Sequence, residues 1–382
     1  MAKINTRSPY YVSIANVLMS YATCEIYIYT TGFAPPAQPT YTLRTNAVDQ
    51  AAIFEISELI QDYLNPQLNQ YVLNASYNLT THVDVTTTAY DASNTNLSST
   101  TITRAIASMG YGYFKDGSNP QNTAMMLISN TEILIPQGHV TRFPLDINQA
   151  NNIVYLYEGN EIVNAAISTV GSQGYNQWKY LSSLPTNGTN NIANDWYEAA
   201  EQNDYTVEDN TLLQDYWDEG GTWQPIDRVI VEGASGVKTY KVRMVPCDKY
   251  DPIKVTFLNK FGAYQDLWFF GNSQKDLQTT KEKYKSNILN GINYETYNPQ
   301  QKILSKNANE KLTLNSGYYP ENNNEVFKQL FLSRSVYMLI DGDDYPVVVS
   351  SSNLKFKTQL TEKLINYTIN FEFAYDTINN IR

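Results

Sequence analysis

Hydrophobic and polar residues alternate along much of this chain, and the alternation predicts strands. In "YATCEIYIYTT", Cys24, Ile26 and Ile28 fall on one side while Glu25, Tyr27 and Tyr29 fall on the other, the two-residue period of a half-buried strand. The three prolines of "GFAPPAQPTYTLRT" cannot donate to a ladder, so a stiff loop is expected before a second strand at residues 41–44. In "AAIFEISELIQDYLNP" an apolar strand runs into Ser57, placed to cap a helix over about residues 58–64 that Asn65-Pro66 ends.

Further along, the pattern changes twice. "VDVTTTAYDASNTNLSSTTIT" is thick with Thr, Ser and Asn, with Val83 and Val85 the only alternating hydrophobes at its start, and fits a polar strand pair or an extended arm. "MMLIS", "EILIP", "NIVYLYEG" and "EIVNAAIS" then read as short strands, separated by Gly, Pro and Asn at the spacing of a β-sandwich. "VIVEGASGVKTYKVRMVPC" adds a loop with two glycines and a long strand with Tyr240, Val242 and Met244 opposite Lys241, Arg243 and Val245. "YDPIKVTFLNKFGAYQDLWFF" predicts a hairpin. Ile253, Val255 and Phe257 share one face, Asn259 to Gly262 make a turn, and residues 267–270 form a second strand. Phe257, Phe261, Trp268, Phe269 and Phe270 carry too much aromatic bulk for an exposed strand, so this hairpin is expected to close the core of a second domain. "IDGDDYP" lies between two apolar runs. Its acids lack the order and closing Glu of a calcium loop, so it reads as a hairpin turn.

These patterns give a fold class of mostly β, with two or more β-sandwich-like domains and a few short helices. A chain of 382 residues has room for two or three domains, and the division expected is an N-terminal β-rich domain at 1–249 and a C-terminal one at 250–382. The net charge of −11 argues against non-specific attraction to a phosphate backbone and leaves room only for local basic patches; no specific nucleic-acid binding is expected. Nine acids and no Lys or Arg fall between Asp195 and Glu219, where Trp196, Tyr197 and Trp217 also sit. This window reads as a solvated segment or as an acidic aromatic surface facing a partner or channel. No window is long and apolar enough for a bilayer, and the first residues lack a signal-peptide core, so synthesis in the cytoplasm and no membrane partner are expected. Cys24 and Cys247 are then expected to be free, buried thiols.

Chemistry is sparse. Only His82 and His139 are present, and His82 shares a strand face with Asp84 beside a threonine-rich run, which fits a core-edge residue better than a ligand. "MGYGYF" has no Walker lysine or dinucleotide-binding context. No residue is assigned a catalytic, cofactor-binding or metal role, no cofactor is expected, and the chain reads as a non-enzyme. The 31 tyrosines suit amphipathic contact surfaces.

"RSPYYV" at residues 7–12, "IFEISELIQDYLNP", "IKVTFLNKFGAYQDLWFF", "NEVFKQLFLS" and "KLINYTINFEFAYDTINNIR" occur in this order along nearly the whole chain. Together they resemble a family of virion structural proteins of tailed phages of Bacteroidetes hosts, including crAss-like phages. The middle, about 74–235, departs from that family and looks like a divergent insertion. The resemblance implies a β-rich subunit of a ring or sleeve in the neck or tail around the DNA channel, located in the virion and partnered by copies of itself and other virion proteins. It supplies no catalytic residues. The rival reading is a carbohydrate-binding tail or capsid-decoration protein using Trp178, Trp196, Trp217 or Trp223 as stacking platforms.

Overall fold

The computed structural model describes residues 2–29, 34–66, 68, 79–121, 124–137, 139, 141–146, 149–157, 160–166, 178–182, 227–233, 235–247, 249–290, 292–351, 353–355 and 364–378. Strand accounts for 55% and helix for 8%, which makes this a mostly-β, multi-sheet protein. No helix among the described residues is long and apolar enough to cross a membrane. The chain divides into two compact units. One comprises Met1–Pro246, Leu258–Asp266 and Glu325–Ser333; the other comprises Cys247–Phe257, Leu267–Asn324 and Arg334–Arg382.

The first unit holds a five-stranded sheet in the spatial order Lys3–Asn5, Asn96–Ser108, Thr80–Tyr90, Tyr21–Tyr29, Tyr41–Asn46. The alternation in Tyr21–Tyr29 is realised. Ala22, Cys24, Ile26 and Ile28 are buried and pack with Val83 and Val85 of the neighbouring strand. The threonine-rich stretch is a strand pair. Two of its buried hydroxyls bond to backbone carbonyls, Thr81 Oγ1 donating to Tyr29 O (2.8 Å) and Thr87 Oγ1 to Thr100 O (3.3 Å), which offsets the cost of placing them inside a sheet, whereas the Ser98 hydroxyl meets no partner among the described residues. A second sheet runs Asn160–Ala166, Ala150–Tyr157, Arg228–Gly233, Gly236–Val245, Glu132–Pro136. Tyr240 and Val242 point to its buried side while Lys241 and Arg243 are exposed, as their alternation predicts.

Four expectations need correction. The helix spans Ser57–Gln61, and Ser57 lies inside it and makes no side-chain cap. Glu55 instead holds the first helical residue, its Oε1 accepting the Ser57 N–H (2.8 Å), the Ser57 hydroxyl and the Tyr10 N–H (3.2 Å). A capping hydroxyl would have to accept from an amide two or three residues on, whereas that of Ser57 is engaged as a donor to this carboxylate. "MMLIS" is buried but forms only an isolated bridge, Met126 to Leu145, and its backbone bonds instead to Pro144 and Asp146. Cys24 is a buried free thiol, whereas Cys247 is only half-buried. Finally, the second strand of the aromatic hairpin spans Tyr264–Phe269 and not residues 267–270, and in the first strand Thr256 and Leu258 are buried as well as Val255 and Phe257.

A seven-stranded sheet, all of it in the second unit except Leu258 and Tyr264–Asp266, runs in the order Tyr264–Phe269, Ile253–Leu258, Val336–Ile340, Asp343–Val349, Thr368–Phe373, Gln301–Asn315, Ser273–Lys285. Phe257, Phe269 and Phe371 are buried in it, and Phe269 meets Phe371 edge-on at 5.7 Å. Tyr319 is fully enclosed and donates its hydroxyl to Trp268 O (2.7 Å). Val336–Ile340 and Asp343–Val349 are joined at Asp341 (φ 52°) and Gly342 (φ 90°), the two positive-φ positions of a tight hairpin.

Candidate assembly surface

One edge of the second unit's sheet continues past the sheet. Ser273–Lys285 pairs only with Gln301–Asn315, in register from Ser273 with Leu314 to Lys285 with Gln301. Of the second strand, only Lys311–Asn315 has another strand on its far side, Thr368–Phe373. The C-terminal stretch supports it a little farther out: Asn307 Nδ2 donates to Asp376 (2.6 Å), and the Thr377 N–H donates to Ala308 O (2.8 Å). Beyond Asn307 the two strands pair, among the described residues, only with each other. This outer ribbon of about six residues per strand, at roughly 3.3 Å per residue, reaches about 20 Å before its loop.

The sequence explains why the arm stands free. "SQKDLQTTKEKYK" contains no apolar face, and all thirteen of its residues are exposed. The loop strands Leu289–Asn290 and Asn293–Tyr294 pair at the tip. Here the chemistry reverses: Leu289, Ile292, Tyr294, Tyr297, Ile303 and Leu304 are large and exposed, Ile292 at 96% and Tyr297 at 79%. Ile303 and Leu304 are adjacent on one strand, so apolar side chains leave both faces of the ribbon. A two-stranded ribbon is marginal alone in water, an unpaired edge is a template for another chain, and a clustered apolar surface marks a contact site. Covering each of these side chains would contribute roughly 1.5–3 kcal/mol before the cost of association.

Sequence reasoning missed this arm. The available signal was two long Lys-, Thr- and Asn-rich runs flanking an Asn-, Tyr- and Pro-containing segment, with β-branched residues but no periodicity.

Elsewhere the structure places the singled-out motifs in structural roles. In the first unit, three of the quoted segments meet. Arg7 Nη2 donates to Leu332 O (2.8 Å), the Lys260 N–H to Gln329 Oε1 (3.3 Å), and the Tyr113 hydroxyl to Glu325 Oε1 (2.5 Å). Lys328 lies 3.4 Å above the Tyr113 ring. Burial, and then the bond to Glu325, push the Tyr113 hydroxyl well above its ordinary pKa. The glycines of "MGYGYF" serve packing: a Cβ on Gly110 would lie 2.9 Å from Lys260 O, and one on Gly112 2.4 Å from Pro120 Cγ.

His82 and Asp84 do share surroundings, joined by Tyr29. The Tyr29 ring lies 5.6 Å from the His82 ring, and its hydroxyl donates to Asp84 Oδ1 (3.0 Å), which also accepts the Arg104 N–H (2.6 Å). His82 is buried, and its Nδ1 meets no hydrogen-bond partner among the described residues. Among those residues no three His, Cys, Asp or Glu side chains gather as a metal would require. The acidic window 195–219 and the side chains of Trp178, Trp196, Trp217 and Trp223 lie outside the described residues. No protein-family model matches this chain, and no curated protein matches it.

Proposed function

We propose that this chain is a non-enzymatic structural subunit of a phage virion, a ring or sleeve component of the neck or tail around the DNA channel. The observation that carries the reading is the arm: a ribbon with an exposed apolar tip is a costly surface for a protein that works alone and a useful one for a protein that works in an assembly. The ordered sequence resemblance supplies the kind of assembly. A net charge of −11 suits a wall past which DNA slides without being held.

Imaging of particles tests this. The expected result is density for this chain in several symmetry-related copies around the tail axis. Its absence from purified particles, or its presence only at fibre tips engaged with glycan, would overturn the proposal.

A further inference from the structure

We infer that the arm clasps a second copy of this chain, its outer lysines seated on that copy's carboxylates and its apolar tip buried against the same surface. The inference rests on the assembly reading and identifies the partner. Lysines at the base of the arm are matched from within, Lys275 by Glu310 (2.6 Å) and Lys311 by Glu372 (3.4 Å). Those farther out are not. Lys281, Lys283, Lys285, Lys302 and Lys306 form no ion pair among the described residues, and Lys281 stands directly opposite Lys306 in the ladder. Like charges facing each other across a strand pair oppose the pairing, so carboxylates brought by a partner would stabilise the outer ribbon.

The chain supplies that charge in excess. From residue 281 to residue 306 it has five lysines and two glutamates, while over its whole length 38 acids outnumber 27 basic residues. A basic arm on an acidic protein is complementary to its own neighbour. Duplex DNA would also answer the lysines, but a phosphate backbone would leave Ile292, Tyr297 and Leu304 in water. A protein surface can take both. The arm and its receiving surface are different parts of the molecule, so the contact is either exchanged between two copies or repeats from subunit to subunit; the repeating form, closing a ring where the rotation allows, is the one that fits the proposed function.

The test mixes isotopically light and heavy full-length chains at low salt and joins lysine to carboxylate with a zero-length carbodiimide. Mass spectrometry is expected to find light-to-heavy peptides linking Lys283, Lys285 or Lys302 to an Asp or Glu of the other copy. Their yield should fall about tenfold in 1 M NaCl, where the screening length is roughly 3 Å. It should fall several-fold in Ile292→Ser/Tyr297→Ser, whose surface changes leave the fold intact. Links confined to single chains, mixed links indifferent to the tip substitutions, or arm lysines protected by duplex DNA rather than by protein would each overturn the inference. Particles in which the arm touches only a different virion protein would overturn it while leaving the proposed function standing; absence of the chain from particles would remove the proposed function itself.

Discussion

His82 shows how the first sheet treats a titratable group. Burial is the main influence lowering its pKa; the Ala105 backbone and Asp84 pull it up, and the Arg104 charge pushes it further down. In the unfolded chain the imidazole titrates near 6.5. Between the folded and unfolded values the unfolded chain binds more protons, so stability rises with pH there. The contribution is whole above about pH 6.5 and is lost as the pH falls below it toward the folded value. Urea midpoints from pH 8 to pH 5 are expected to drop less steeply in His82→Gln than in the parent chain; parallel curves would refute this. Gly262 is a second single-residue constraint. It sits at φ 81°, and a Cβ there would lie 2.7 Å from Gly110 N. Gly342 has φ 90° with nothing within 4 Å, so it isolates the dihedral cost from the clash. Both alanine substitutions should destabilise, Gly342→Ala by about 1 kcal/mol and Gly262→Ala by clearly more. Equal losses in thermal melts would show that the backbone near Gly110 simply moves.

Elements were legible from sequence where their cause is local. The Asp341-Gly342 turn follows from two residues that tolerate positive φ, and Tyr21–Tyr29 from a two-residue period with one buried face. Legibility fails where the cause is remote. Ser57 is an ordinary cap by sequence until its own amide and hydroxyl both turn to the Glu55 carboxylate, and "MMLIS" has strand composition but, among the described residues, no strand alongside it except at one bridge. The arm is the largest omission because a ribbon that buries neither face has no period to read, and its Lys and Asn are poor strand formers chosen for something other than the strand. The aromatic hairpin lies at the opposite extreme. Trp268 is 3% exposed, with the Tyr319 hydroxyl bonded to its carbonyl. Trp268→Ala is expected to cost about 3–5 kcal/mol in chemical unfolding. A loss below about 1 kcal/mol would mean that the surrounding side chains collapse into the space and that the hairpin is not a fixed part of the core.

At the scale of the molecule, each unit has its own buried core, and the arm extends from the second. The lysines that line this extension are also the residues after which trypsin cuts, and a ribbon supported on neither side opens at little cost in free energy. In the isolated subunit, brief digestion should therefore sever the chain first between Lys281 and Lys306, leaving a large N-terminal piece and a short C-terminal one that stay associated through the pairing of Lys254–Phe257 with Val336–Leu339 and of Ser273–Thr280 with Asn307–Leu314. Once subunits have joined, the same bonds should resist cutting, so the lifetime of one stretch of chain becomes a clock for assembly that requires no label.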